Sequence, residues 1–461
     1  MSPTPAAHLR RRGLRTKWSG AAIAVSLLAA CSSGNASEPA GSAAAESSAT
    51  TSADGSSASS TSNSSSNRSE EGRDLFDNSV VHDIEVTFDQ AEYDAMIASF
   101  RTSGDKEWIT ATITIDGVTV RDIGLRLKGN SSLMGLRNNN GGRTGGPGGT
   151  VSADKPNTLP WLVRLDKNID GQSYEGYTEF VIRSNNTATA LNEAVALELI
   201  GLSGQATEKA FSTRFSVNGG TEVLRLAIES PDDEWEDENF ENDGVLYKAE
   251  SGGDYSYRGD DAAAYEEIFD QETDTDNENL TPLIKFLEFI NKSDDATFVA
   301  ELAQHLDIAA FARYLAGQEL VANQDDIDGP GNNSYLRYDE KTGLMTIVSW
   351  DLNLSFGSLG GGGGATRNAP PAVGGAAPRV GGPGGFGGRS NILVQRFLAN
   401  STFSALYQKT LADLRAELYA SGKAAEIVSR WSELLKAQAS DLVAATTITQ
   451  EAANVSKFFT V

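Results

Sequence analysis

The apolar residues of this chain change their spacing near Leu280, and this change limits the possible folds more than any other feature. Before it, apolar and polar residues alternate in 81–88 and in 108–129, where Asp116-Gly117 separates two alternating runs. Alternation around an Asp-Gly step predicts a β-hairpin. After it, apolar residues recur every three or four positions, which is typical of helices. The chain is therefore predicted to be α+β, with a β-rich region followed by a helical one.

The same patterns predict individual elements. A helix is expected over 187–204, with Thr187 or Thr189 as its N-cap and Gly201 or Gly204 at its end. Further predicted elements are a strand at 159–166, a hairpin at 210–229, helices at 280–292, 295–306 and 307–323, a hairpin at 334–352 and C-terminal helices.

The N-terminal part shows neither pattern and is predicted to be a leader followed by a tether. A basic segment precedes the apolar residues 20–30, a run shorter than the roughly 20 residues of a transmembrane helix. The tetrad LAAC resembles a bacterial lipobox, so 1–30 is predicted to be a lipoprotein signal peptide and Cys31 the lipid-bearing residue. We therefore expect an extracytoplasmic protein anchored to the bacterial membrane; an ordinary secreted protein is the alternative. Residues 31–73 are rich in Ser, Gly and Ala and are predicted to be disordered.

Charge and residue usage exclude several kinds of chemistry. The formal net charge is -25, whereas nucleic acid binding needs a basic face, so we expect no nucleic acid partner. His8 lies in the leader, and neither His82 nor His305 has a partner at metal-ligand spacing, which argues against zinc sites and histidine triads. Cys31 is the only cysteine. The remaining chemistry is that of carboxylates, amides and a hard cation such as Mg²⁺.

Residues 322–339 concentrate such groups between two apolar-rich segments. Asp325 follows a predicted helix, Asn332 and Asn333 come shortly after it, and Asp351 follows the predicted strand TIVSW. Phosphoryl transfer needs metal ions on the nucleotide phosphates and a carboxylate that orients the acceptor hydroxyl, and the order Asp, Asn, Asp is that of kinase sites. Asp and Asn are also common in turns, so the spacing alone leaves both interpretations open.

The chain resembles the CotH kinase family, named after a spore-coat protein, in the segments RLKGNSS, VRLDK, ALNEAVALEL, GVLYKAE, NQDDIDGPGNNSYLRYD and VSWDLNLSFG. The resemblance implies an atypical, two-lobed protein-kinase-like fold in 74–461. It places a β-rich lobe at about 74–235, a helical lobe at about 236–461 and a Gly-rich loop at 357–390. It also implies an enzyme that uses ATP and Mg²⁺ or Mn²⁺ to phosphorylate Ser or Thr hydroxyls of a protein partner.

The resemblance also implies roles for particular residues. Asp325 would be the catalytic carboxylate. Asp351 would bind the metal, with Asn333 or Asn332 as the second ligand. The residues expected to hold ATP are Lys128, Gly129, Asn130, Ser131, Ser132, Arg164, Glu193 and Glu229. Among these, Gly129 to Ser132 would line the phosphates, Glu193 would pair with a cation, and Glu229 would lie where a hinge meets adenine.

Two departures from the family pattern keep other functions open. Asn353 stands where the family usually has a second Asp, and the strand that usually bears a phosphate-binding Lys offers only Arg164, so either Lys128 or Arg164 is the candidate. One alternative is therefore a catalytically degenerate, surface-anchored module that binds a cation, a wall polymer or a protein. Another is glycan hydrolysis or transfer by Asp325 and Asp351 as paired carboxylates, although a phosphate loop has no use in that reaction.

Overall fold

The computed structural model describes residues 74–137, 151–250, 252–323, 325–328, 333–357 and 391–459. The predicted leader, the tether and the lipidation site at Cys31 lie outside these residues, as do Asn332 and nearly all of the Gly-rich loop 357–390. None of the helices in the described part of the chain is long and apolar enough to cross a membrane.

Seven strands of the N-terminal half close into a barrel with the order β1-β2-β3-β4-β5-β7-β6. Strand β1 runs parallel to β6, and the other neighbours are antiparallel. The strands are β1 (Val81–Phe88), β2 (Ile109–Ile115), β3 (Val118–Leu127), β4 (Trp161–Arg164), β5 (Glu179–Ile182), β6 (Ala210–Val217) and β7 (Val223–Glu229). Buried aromatic side chains such as Trp161, Phe180 and Phe211 fill the interior, so the barrel is a packed core.

Local turn chemistry explains the hairpins of the barrel. Asp116 and Gly117 have φ values of 48° and 86°, and Asn218 and Gly219 have φ values of 50° and 67°. Two successive residues with positive φ form the type I′ turn, whose twist matches that of paired strands. Both predicted hairpins are therefore confirmed, and β1 has the predicted bounds.

The C-terminal half combines helices with a second sheet of four strands, in the order β11-β10-β8-β9. The predicted hairpin 334–352 is confirmed as β10 (Ser334–Asp339) and β11 (Met345–Ser349). The predicted helical lobe at about 236–461 contains more strand than this hairpin, because β8 (Gly244–Ala249) and β9 (Phe269–Gln271) join it in one sheet. Both strands are short, and the strands they pair with are distant in sequence. Neither strand therefore shows a clear local alternation of apolar and polar residues. The chain is a mixed α/β protein. The two-lobed kinase-like fold that the resemblance implies did not include the seven-stranded barrel.

Eleven α-helices accompany the strands in the described residues. They are α1 (Gln90–Thr102), α2 (Met134–Arg137), α3 (Leu191–Leu202), α4 (Asp233–Asn239), α5 (Thr281–Lys292), α6 (Asp295–Glu301), α7 (Ile308–Leu320), α8 (Ile392–Ala399), α9 (Ser401–Leu414), α10 (Lys423–Gln438) and α11 (Ala445–Ser456). A π-helical segment, Arg415–Ala420, directly follows α9. The predicted helices near 280–323 are confirmed as α5, α6 and α7.

Helix α3 is buried along most of its length and lies between the barrel and the C-terminal helices. Val195 and Leu199 belong to the same apolar cluster as Ile228 of β7 and Trp431 of α10. The predicted N-cap is wrong: the helix begins after Ala190, which has a φ of 53°, and neither threonine occupies the cap position. The predicted end is close to the observed one, because Gly204 lies two residues beyond Leu202 with a φ of 83°.

Candidate active site

A buried guanidinium joins two carboxylates from distant parts of the chain. Arg183 directly follows β5, and its Nη2 lies 2.8 Å from Oε1 of Glu193 on α3. The same nitrogen forms a very short contact with Oδ1 of Asp351, two residues after β11. The side chains of Arg183 and Glu193 are 12% and 3% exposed. This ion cluster therefore links the barrel, α3 and the second sheet in a largely dry environment.

The charges in this cluster influence one another strongly. Burial raises the pKa of Glu193 above its usual value, and the Arg183 guanidinium opposes that shift. Burial disfavours the charge of Arg183, but the Asp351 and Glu193 carboxylates more than compensate and raise its pKa. Arg183 therefore stays charged, and the three side chains carry one net negative charge when both acids are ionised.

Asp351 is the first residue of a tight turn that is hydrogen-bonded to the surrounding elements. Its own φ is 56°, a left-handed conformation that Asp tolerates better than most residues. The main-chain carbonyl of Asn353 accepts hydrogen bonds from Asn192 Nδ2 at 2.6 Å and from Asn186 Nδ2 at 3.3 Å. The Phe356 N–H donates to the Val321 carbonyl at 2.9 Å. The position of Asp351 is thus set jointly by α3 and by the end of α7.

Asp325 lies in the loop after α7, next to Asn333. Asn333 Nδ2 donates to Asp325 Oδ2 at 2.9 Å. Burial raises the pKa of Asp325 to about 6, the Asp351 carboxylate adds to that shift, and the Asn333 bond opposes it. The structure thus brings Asp325, Asn333 and Asp351 into one electrostatic neighbourhood. Their catalytic and metal-binding roles stay predictions.

The predicted phosphate turn approaches the same place. Gly129 has a φ of 92°, and a Cβ there would collide with Ser132 Oγ, so the turn needs glycine. Ser131–Leu133 form a short 3₁₀ turn. Lys128 Nζ lies 5.8 Å from the ring centroid of Trp350, the residue that precedes Asp351. Burial lowers the pKa of Lys128, which favours binding of an anion that restores its charge.

Two lysines that the sequence analysis missed lie beside this turn. Lys106 Nζ donates to Asn130 Oδ1 at 3.2 Å. Burial, followed by repulsion from Lys248 on β8, lowers the pKa of Lys106 to about 8, and Lys128 contributes a smaller part. The segment GVLYKAE contained Lys248 but gave no indication of its role, and Lys106 had no sequence signal. Three cations therefore surround the turn in a chain with a net charge of -25.

An acidic cluster adjoins these lysines on the second sheet. Carboxylate oxygens of Glu250, Asp270 and Glu272 lie within 4.8 Å of one another, a spacing that can hold a divalent cation. Lys248 Nζ lies 2.5 Å from Glu250 Oε1 and 3.3 Å from Glu272 Oε1. The ammonium group neutralises part of the cluster and competes with a metal ion there. These carboxylates therefore fit a cation less well than the group around Asp351.

The remaining predicted residues are placed elsewhere or are already paired. Arg164 on β4 is 47% exposed and pairs with Asp166 at 2.9 Å, and its only ion pair among the described residues is this one. Glu229 at the end of β7 is buried and pairs with Lys209 Nζ at 2.9 Å. The cation that pairs with Glu193 is Arg183, which the sequence did not single out, and the phosphate-binding role expected of Lys128 or Arg164 stays a prediction. Arg183 was missed because the four-residue strand β5 before it was not predicted.

Carboxylates, an amide and several cations thus converge in a polar site of the kind that handles phosphates and divalent cations. A family model described as CotH kinase protein matches residues 126–457. The chain belongs to this family. It is also similar to the inner spore coat protein H of Bacillus subtilis (strain 168), with 24% identity over 172 residues, which are 36% of this chain and 46% of that protein. The matched region thus spans less than half of that relative.

Proposed function

We propose that this protein is an atypical protein kinase that transfers the γ-phosphoryl group of ATP to Ser or Thr hydroxyls of a surface or extracytoplasmic protein. The observation that carries the proposal is the cluster of Arg183, Glu193 and Asp351. In protein kinases a strand lysine pairs with a glutamate of a following helix, and a metal-binding aspartate must also be in place. The cluster reproduces this relation with arginine in the place of lysine.

Asp325 is proposed to receive or orient the proton of the acceptor hydroxyl. Its raised pKa of about 6 makes it a stronger base than an ordinary aspartate, while it remains mostly ionised at neutral pH. The hydrogen bond from Asn333 Nδ2 fixes the orientation of the carboxylate. The side-chain carbonyl oxygen of Asn333 is then available as the second metal ligand that the resemblance implies.

Asp351 and Asn333 supply the oxygen ligands that Mg²⁺ or Mn²⁺ prefers. The cation, when bound, neutralises charge on the phosphates of ATP. Lys106 and Lys128 lie at the Gly129 turn, and the burial and repulsion that lower their pKa values are offset when a triphosphate lies against them. The turn itself offers backbone N–H groups and the hydroxyls of Ser131 and Ser132.

The cellular location is proposed from the N-terminal sequence and from the name of the Bacillus subtilis relative. The tetrad LAAC ending at Cys31 supports a lipid-anchored protein on the outer face of the bacterial membrane. The name of the Bacillus subtilis relative places that protein in the inner spore coat. A protein of the cell envelope is therefore the proposed substrate.

A second candidate function is a catalytically degenerate binding module. It is favoured by the close contact between Arg183 and Asp351, which engages one carboxylate oxygen that a metal ion would use. Asn353, in place of the usual Asp, removes a further negative charge from the same turn. Such a module would bind a cation, a wall polymer or a protein without transferring phosphate.

Labelled phosphate transfer separates the two candidates. The full-length protein is incubated with γ-labelled ATP and Mg²⁺ or Mn²⁺, beside Asp325→Asn and Asp351→Asn variants. Asp170→Asn is the matched control, because Asp170 is an exposed aspartate of the loop between β4 and β5. A kinase labels itself or an added protein, loses this activity in the first two variants and keeps it in the control. Nucleotide binding without transfer supports the binding module, and transfer that survives both substitutions refutes the assigned roles.

A further inference from the structure

A polar pocket of about 330 Å³ opens beside the segment Ser184–Ala188, which joins Arg183 to α3. Besides this segment, its wall contains Thr158 and two residues of β7, Leu224 and Arg225. The lining therefore offers hydroxyls, amides and one guanidinium, and none of the lining residues is acidic. In a chain with a net charge of -25, such a surface is electrostatically unusual.

Arg225 is buried without an acidic partner. It is 8% exposed, and its Nε and Nη2 both donate to the Asn157 carbonyl, at 2.9 and 2.8 Å. It forms no ion pair within the described part of the chain, and burial lowers its pKa to about 10. A buried guanidinium without a counter-ion is costly, so a partner that supplies negative charge would be bound favourably.

Two hydroxyls near Arg225 also have unused hydrogen-bonding capacity. Thr213 is the cross-strand partner of Arg225 on β6, and its buried Oγ1 has no hydrogen-bond partner among the described residues. Ser184 lines the pocket, and its hydroxyl forms no hydrogen bond with other residues that the structure describes. Of these two hydroxyls, that of Ser184 lies on the pocket wall and remains available to a ligand.

We propose that this pocket binds a phosphate-type oxyanion through Arg225 and Ser184. A guanidinium binds phosphate oxygens in a planar, two-point geometry. The volume is at the low end of small-ligand sites, which suits a single phosphoryl group better than a nucleotide. The oxyanion is either inorganic phosphate or the phosphoryl group of a phosphorylated side chain.

An oxyanion bound here also restrains the segment between Arg183 and α3. Asn185 already ties this segment to β7, because its side chain accepts from the Leu226 N–H at 3.1 Å and donates to the Leu224 carbonyl at 3.2 Å. A further link through Ser184 and Arg225 would hold Arg183 in register with Glu193. This consequence rests on the proposed function, whereas the binding itself does not.

The binding is tested by titrating the full-length protein with inorganic phosphate and, separately, with a phosphoserine peptide, at constant ionic strength. Calorimetry measures affinity, and hydrogen exchange reports protection of Ser184–Ala188. Both Arg225→Gln and Ser184→Asp are expected to weaken binding by about tenfold or more, because one removes the cation and the other adds a repelling carboxylate. Ser184→Asn is the matched control for Ser184→Asp, because it has the same size without the charge and keeps a side-chain N–H donor, so it should bind clearly more tightly than Ser184→Asp. The probe that binds more tightly identifies the source of the oxyanion.

Lys128→Met separates this pocket from the phosphate turn and is expected to leave the protection of Ser184–Ala188 unchanged. The proposal is overturned if neither probe binds saturably, or if Ser184→Asp binds as tightly as the parent. It is also overturned if the signal disappears in Lys128→Met, because the oxyanion would then belong to the turn. Because Ser184 is a small residue on the pocket wall, its variants test the proposal even if Arg225→Gln does not fold. No arm measures phosphate transfer, so the outcome is independent of the kinase assay.

Discussion

Replacing Arg183 with methionine is expected to destabilise the protein strongly. The substitution keeps an unbranched side chain but leaves the Glu193 carboxylate, 3% exposed, without its cation. Removing one partner of a buried ion pair costs about 3–5 kcal/mol. Asp351 is 25% exposed, so solvent partly screens its carboxylate, and losing the Arg183–Asp351 pair costs less free energy. We therefore expect the free energy of unfolding to fall by about 3 kcal/mol.

The assay is denaturant unfolding of the parent, Arg183→Met, Glu193→Gln and the double variant. In the double variant the neutral amide removes the uncompensated charge, so about 2 kcal/mol of the loss should be recovered. Arg164→Met is the matched control. Arg164 is an exposed arginine on the neighbouring strand, and its pair with Asp166 should contribute less than about 1 kcal/mol.

Two results would refute this reasoning. If Arg183→Met costs no more than Arg164→Met, the guanidinium does not stabilise buried charge. If Glu193→Gln fails to rescue Arg183→Met, the loss comes from packing and not from an unpaired carboxylate.

Three further substitutions test other parts of the structure. Glu208 is buried, and burial raises its pKa from 4.5 to about 8, so the native state loses stability as the pH rises through this range. Glu208→Gln should therefore stabilise the protein by roughly 3 kcal/mol near pH 7 and have no effect below about pH 4, as measured by unfolding at both pH values. Gly129→Ala forces a Cβ into Ser132 Oγ at a positive φ, and should raise the KM for ATP by about tenfold, whereas Gly259→Ala, at an open turn with a similar φ, should not. Glu451 of α11 accepts hydrogen bonds from the Ala188 and Thr189 N–H groups just before α3, so Glu451→Ala should lower kcat more than KM and cost about 1–2 kcal/mol in unfolding. An unchanged kcat would show that α11 does not position α3.

Local chemistry explains what the sequence predicts well. The Asp116-Gly117 turn and β1 follow from alternation and turn preferences that act within a few residues. The proximity of Asp325, Asn333 and Asp351 is consistent with loops that leave the ends of α7 and β11. In each case the signal lies within a short segment.

Long-range pairing explains what the sequence does not predict. The barrel closes because β1 pairs in parallel with β6, which joins Val81 to Ser212 far along the chain. Arg183 follows a strand of four residues, too short to give a pattern, and its partners come from α3 and the second sheet. Lys106 and Lys248 meet only through tertiary packing, so no motif connects them.

The proposed kinase reaction requires Asp351 to hold a divalent cation beside a triphosphate that lies against the Gly129 turn. A crystal structure with Mn²⁺ and a non-hydrolysable ATP analogue tests this directly, because anomalous scattering locates the ion. We predict an ion on an Asp351 oxygen, with the phosphates of the analogue between it and Lys128. An ion held only by Glu250, Asp270 and Glu272, or an analogue bound away from Asp351, would contradict the account.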